Sequence, residues 1–204
     1  MPEESSMRWK MFVIPFVVLI FGAVLPAYSQ VTYSAQEGTL PFTLGWGFSN
    51  FSLDWGNSNP RMNGYTVWGD WRLPHMPPRL HGLGIELEGR DINWSTPASL
   101  PGHRMTTGSG GPVYEWRRVG RIRPYGKFLI GFGSISFPGN SPTYNHDTRT
   151  VYEPGGGVNV LAWNRFSVRG EYDYQFWPNM FGHGALTPNG FTIGTVYDFG
   201  RRPE

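Results

Sequence analysis

Phe166-Ser-Val-Arg-Gly-Glu-Tyr-Asp-Tyr-Gln-Phe176 sorts its side chains into two sets. Phe166, Val168, Tyr172, Tyr174 and Phe176 share one face, and Ser167, Arg169, Glu171, Asp173 and Gln175 take the other. Side chains of a strand point alternately to its two faces, so this period of two predicts a strand with one apolar and one polar side. Leu83, Ile85 and Leu87 stand in the same way against Glu86, Glu88 and Arg90. Near the end of the chain, Phe191, Ile193, Thr195, Tyr197 and Phe199 alternate with Thr192, Gly194, Val196 and Asp198.

Eight such segments are predicted, at 41–53, 62–72, 82–93, 109–118, 121–136, 149–162, 166–177 and 189–199. No long stretch carries a helical period. The links after the third, fifth and seventh segments are long and rich in Gly, Pro, Asn and His, and that at 54–61 is intermediate. The links at Val119-Gly120 and Trp163-Asn164-Arg165 are tight. Long and short links in turn are expected of an all-β, eight-stranded antiparallel up-and-down barrel. The link at 73–81 departs from this, because it should be short yet holds three prolines.

The composition agrees. There are 28 Gly and 18 Pro in 204 residues, with 14 Phe, 9 Trp and 10 Tyr, and only 16% of residues are charged. So many aromatics argue against disorder, and a mean hydropathy of −0.35 excludes a bundle of membrane helices. With no cysteine there is no disulfide, thiolate metal site or cysteine nucleophile. The net charge of +2 is too small and scattered for a nucleic-acid surface.

Residues 1–29 read as a cleaved secretory signal. Arg8 and Lys10 precede an apolar run from Met11 to Leu25, and Ala27 and Ser29 supply the small residues of a cleavage site before Gln30. Pro15 and Pro26 disfavour a membrane anchor, and a start at Met7 would remove Glu3 and Glu4 from the basic region.

Alternation does not say which face meets water. Three features predict that the apolar face meets lipid. After residue 29 the only lysine is Lys127, unlike the mixed charged surface of a soluble protein. Trp55, Tyr65, Trp68, Trp71, Trp94, Tyr114, Trp116, Trp163 and Trp177 crowd segment ends, as interfacial girdles do. The segments mostly reach the ~9–11 residues that a tilted strand needs to cross a bilayer.

The terminal Gly194-Thr-Val-Tyr197-Asp-Phe199 looks like the C-terminal assembly signal of outer-membrane proteins. Together with Arg123-Pro-Tyr125 leading into a Gly-rich strand, and with Pro154-Gly-Gly-Gly157, it resembles the OmpA-like outer-membrane β-barrel family over residues 40–199. The resemblance implies a barrel at 41–199 in the outer membrane of a diderm bacterium, a periplasmic segment at 30–40 and a short tail at 200–204. In one departure from the family, only Gly-Arg-Arg-Pro-Glu follows Phe199, so no peptidoglycan-binding domain is expected. The chain's partners would be lipid and lipopolysaccharide, the barrel-assembly machinery that reads Gly194, Tyr197 and Phe199, and an extracellular ligand met by the loops. A monomer without cofactor or nucleic acid is expected.

If the polar faces point inward, Arg72, Arg90, Arg123, Lys127 and Arg169 meet Asp70, Glu86, Glu88, Glu115, Glu171, Asp173 and Asp198 in the lumen. An eight-stranded interior is only wide enough for side chains, so these groups should pair into a polar filling. The alternatives are a narrow porin-like conduit and a lipid-modifying enzyme. No catalytic or metal-ligating set is expected. His75, His81 and His103 flank prolines and turns, His146 and His183 fall in long links, and none is expected on a strand beside a serine. Gly155-Gly156-Gly157 has no helix or lysine after it, so it predicts strand curvature or close packing and not a phosphate loop. The sequons at Asn50 and Asn93 are chance matches in a bacterial envelope protein.

Overall fold

A computed structural model describes residues 41–54, 61–74, 76–94, 103–116, 121–136, 146–182 and 184–200. The signal at 1–29 with Ala27 and Ser29, the segment at 30–40 and the tail beyond Gly200 lie outside these residues. The strands are β1 (Phe42–Ser52), β2 (Arg61–Arg72), β3 (Leu83–Trp94), β4 (Arg104–Glu115), β5 (Ile122–Ser136), β6 (His146–Trp163) and β7 (Phe166–Tyr174). After these come a two-residue ribbon of β8 (Trp177–Pro178) and β9 (Ala185–Leu186), and then β10 (Asn189–Asp198).

β1 to β7 and β10 form a closed antiparallel barrel in the order β1-β10-β7-β6-β5-β4-β3-β2. Closure gives each of these eight strands two neighbours, as a barrel in lipid requires. The seam joins Thr43 to Asp198 and Ser52 to Asn189. At its foot the Phe199 N–H donates to the Phe42 carbonyl at 3.1 Å. Phe166, Tyr197, Phe199 and Phe42 form a chain of ring contacts across β7, β10 and β1, with centroids 5.1, 4.7 and 5.7 Å apart.

The tight links are explained by their residues. Trp163 pairs with Phe166, leaving a two-residue turn in which Asn164 takes a φ of 39°, a region asparagine tolerates. The prolines of the β2–β3 link build a turn of 3-10 helix at Pro78–Leu80, closed by Leu80 N–H to the Pro77 carbonyl at 2.7 Å. That link is therefore long in sequence and compact in space.

Over most of the barrel the apolar face points outward. Leu44, Trp46, Val67, Leu87, Ile130, Phe132, Val168 and Ile193 are exposed, Leu87 by 67% and Phe132 by 69%. At the end where β1 leads towards β2, the phase inverts. Phe51, Met62, Ile92, Met105, Ile135 and Val151 point inward and are fully buried. Beside them Arg61, Asn63, Asp91, Thr106, Ser134 and Thr150 point outward. Leu53, Trp177, Met180 and Leu186 complete this inner apolar cluster. The ribbon β8–β9 folds Trp177 and Leu186 over the opening, turning through Asn179, Phe181, Gly182 and Gly184, all at positive φ.

The inversion accounts for the main departures from expectation. β4 begins at Arg104 and not at 109, because Met105 and Thr107 face inward while Thr106 and Gly108 lie outside. No outward apolar side chain marks that stretch. β6 begins at His146, three residues before the expected start, and its first outward residues are polar. Two expected girdle residues are inside. Trp68 is 1% exposed and stands in the lumen, and Trp177 belongs to the apolar cap. Trp71, Trp116 and Trp163 are exposed at the opposite end, as expected of a girdle. Trp55 and the side chain of Trp94 lie outside the described residues.

The Trp68 indole lies over Gly45 and Gly194, where any Cβ would collide with the ring. Gly194→Val should therefore displace Trp68 and cost ~1–3 kcal/mol, as overpacking of a filled core does. A lowered urea midpoint for unfolding from lipid vesicles would show it.

Candidate functional site: the filled lumen

All twelve charged residues expected in the lumen stand on inward positions of the strands. They form two layers. At the end where β1 begins and β10 finishes, Arg72 pairs with Asp198 at 2.5 Å and Arg123 lies 3.7 Å from Glu115. Asn159 donates to Glu115 at 3.0 Å. This mouth keeps a cavity of about 30 Å³, lined in part by Thr43, Arg72, Tyr125, Arg169 and Asp198. That space is large and polar enough to admit water.

Deeper in, six carboxylates surround three cations. Lys127 Nζ is 2.9 Å from Glu86, 2.5 Å from Glu88 and 2.8 Å from Glu171. Arg90 pairs with Glu88 and Asp173, each at 2.6 Å, and with Glu153. Arg169 bonds Asp70 and Glu86, each at 2.8 Å, and donates from Nε to Asn159 at 3.0 Å. Its guanidinium lies 4.8 Å from the Trp68 ring and 4.5 Å from the Tyr125 ring. Tyr125 donates its hydroxyl to Glu171. Sharing each cation among several carboxylates compensates their loss of water, which no single pair would do.

Glu86, Glu88 and Glu171 converge closely enough to ligate a cation, and so do Glu88, Glu153 and Asp173. Lys127 already bonds every member of the first trio, and Arg90 every member of the second. The compact ammonium of the only lysine after residue 29 suits three converging carboxylates. Gly155 faces the same cluster, and a Cβ there would strike the Asp173 carboxylate, so the first glycine of the Gly155-Gly156-Gly157 run permits close packing.

Towards the apolar cap, Arg90 donates to Thr66 at 2.9 Å and lies 4.2 Å from the Phe51 ring. Ser49 bridges Thr66 and Thr192 at 2.5 and 2.7 Å. The ten apolar residues of the cap then close the interior. Among the described residues, the lumen passes from charged to hydroxylic to apolar groups.

Several members were missed in the sequence. Glu153 belongs to the central cluster, and its parity with Val151 on β6 was the available signal. Tyr125, Trp68 and Asn159 also belong to it. Trp68 shares its parity with Asp70, and Tyr125 with Lys127, so strand position was the signal that residue type concealed.

One histidine departs from expectation as well. His146 opens β6 opposite Ser136 of β5, on the outer face. Its Nδ1 is 3.2 Å from Ser136 Oγ, and its Nε2 is 3.4 Å from both Ser134 Oγ and Thr148 Oγ1. A strand histidine beside serines on one face is therefore present. His81 and His103 remain in links, and His75 and His183 lie outside the described residues.

Neisserial surface protein A superposes with a TM-score of 0.60 at 11% identity, over 79% of this chain and 99% of that one. This is the fold of the small eight-stranded outer-membrane barrels. A major outer membrane protein from Thermus thermophilus gives a TM-score of 0.50 at 9% identity, over 76% of this chain and 98% of that one. Ail, the attachment invasion locus protein of Yersinia pestis, gives 0.47 at 16% identity, over 76% and 95% of the two chains. No family model and no curated protein matches the chain.

Lys127→Met would leave Glu86, Glu88 and Glu171 facing one another without their shared cation. A loss of ~3–5 kcal/mol is expected, as for breaking a buried ion pair. Arg104→Ala breaks an exposed pair with Asp91 and should cost no more than ~1 kcal/mol. Equilibrium unfolding of both variants in the same vesicles distinguishes the two costs.

Proposed function

We propose that this protein is an outer-membrane β-barrel of a diderm bacterium with a structural or surface-interaction role. One observation carries the reading: a barrel that exposes its apolar side chains around a belt and buries its charges. In water that arrangement would be unstable, and in a bilayer it is the arrangement required. Export would use the signal at 1–29, and assembly would use Gly194, Tyr197 and Phe199, which lie on the closing seam. The protein would be a monomer without cofactor, held in lipid and lipopolysaccharide. Its long links would face outward, towards an extracellular ligand. The protein should be recovered in the outer-membrane fraction and migrate faster on SDS gels before heating than after. Recovery as a soluble periplasmic monomer without detergent would exclude the reading.

The packed lumen and its apolar cap favour a barrel that passes no solute over a porin-like conduit. Planar-bilayer recordings should accordingly show no discrete conductance.

A second reading, a lipid-directed acyl hydrolase, rests on Ser136 and His146. Ser136 Oγ would attack an ester carbonyl and pass its proton to His146, which would return it to the leaving alkoxide. A hydroxyl, Thr148, occupies the place where a carboxylate usually orients the ring. A fluorophosphonate probe should label the wild type and not Ser136→Ala if this reading holds, and an unlabelled wild type removes it.

A further inference from the structure

The two ends of the barrel treat their arginines differently. At the capped end Arg104 pairs with Asp91, Arg149 pairs with Asp147 at 2.9 Å, and Arg61 donates to Asn50 at 2.5 Å. At the other end the three short links carry arginines: Arg79 between β2 and β3, Arg121 between β4 and β5 (where Arg117 and Arg118 lie outside the described residues), and Arg165 between β6 and β7. Among the described residues none of the three has a carboxylate in ion-pair range. Arg165 donates only to the Tyr197 hydroxyl, at 3.3 Å. The carboxylates of that end, Asp198 and Glu115, face Arg72, Arg123 and Asn159 inside the mouth.

These cations border the apolar belt. Trp116 and Trp163 beside them are exposed, Trp163 by 74%, at the level where aromatic rings meet headgroups. Arg79 and His81 line a hollow of about 390 Å³ with Pro78, Tyr114 and Trp116, and Glu115, which Arg123 and Asn159 meet from the mouth, also reaches its wall. It is open beside the aromatic girdle, and the Tyr114 hydroxyl fixes its wall by donating to the Arg79 carbonyl at 2.8 Å.

We propose that Arg79, Arg121 and Arg165 form a collar for anionic phospholipid headgroups, with the hollow beside Arg79 as its most enclosed seat. The proposal rests on the membrane-barrel reading above. The ligand is a phosphodiester with acyl chains. Guanidinium groups bind its phosphate oxygens in forked pairs, and the exposed aliphatic and aromatic belt continues directly below to receive the chains. Charge complementarity and this continuity favour lipid over a soluble polyanion, which would need no apolar surface.

The test uses the full mature chain inserted into vesicles of equal parts phosphatidylglycerol and phosphatidylcholine. Spin-labelled versions of each lipid report the fraction immobilised by the protein. The wild type should hold phosphatidylglycerol several-fold more than phosphatidylcholine, with the preference falling as salt is added. R79Q/R121Q/R165Q should abolish the preference, the triple Arg→Lys variant should keep part of it, and R61Q at the capped end should leave it unchanged. Equal immobilisation of both lipids by the wild type, or a preference that survives the triple Gln change, would overturn the proposal. So would loss in that variant of binding to peptidoglycan sacculi with the lipid preference intact, which would assign the collar to a polymer. Heat-modifiable migration of the same samples separates the two levels. Failure to insert sinks the barrel reading, and insertion without lipid preference sinks the collar alone.

Discussion

A chain that turns its apolar side chains outward has to place its polar ones inside, and an eight-stranded barrel has almost no water there to solvate them. Lys127, Arg90 and Arg169 meet that constraint by each serving several carboxylates at once. Much else follows from their placement. Gly155 is small because Asp173 needs its space, Trp68 and Tyr125 flank Arg169, and Gly45 and Gly194 are small because Trp68 needs theirs. The seam between β1 and β10 thus closes over a residue of β2, so the wall and its filling cannot be altered independently.

The architecture and the sign of the lumen were legible because within the belt they depend on a period of two and on residue type. Phe166 to Phe176 and Leu83 to Arg90 carry an unbroken alternation, and the structure places their apolar faces outward. The strand starts at Arg104 and His146 were not legible, for a physical reason. Beyond the belt the outer surface is polar and the interior apolar, so the alternation continues with its meaning reversed. A reading that searches for outward apolar residues stops at the reversal. Glu153 was hidden differently: it stands directly before Pro154 and three glycines, where the alternation that would mark its face is interrupted.

The same reversal explains why tryptophan position misled. Trp68 and Trp177 have the composition of girdle residues but the burial of core residues. A residue's place on its strand identifies its face, while its type does not. The contacts around His146 were illegible too, since they depend on the register between β5 and β6. Register is set by the whole barrel and is not written in either strand alone.

The apolar cap has a topological consequence. Trp177, Met180 and Leu186 belong to the link that carries the chain from β7 to β10, and β10 is the strand that closes the barrel against β1. The stopper and the closing strand are therefore tethered to one another by a few residues. Trp177 reaches its pocket against Phe51 of β1, Met62 of β2 and Ile135 of β5 only when the wall is complete. Zipping the seam and corking the vessel become a single act, and a barrel of this chain left unsealed would also be left uncorked.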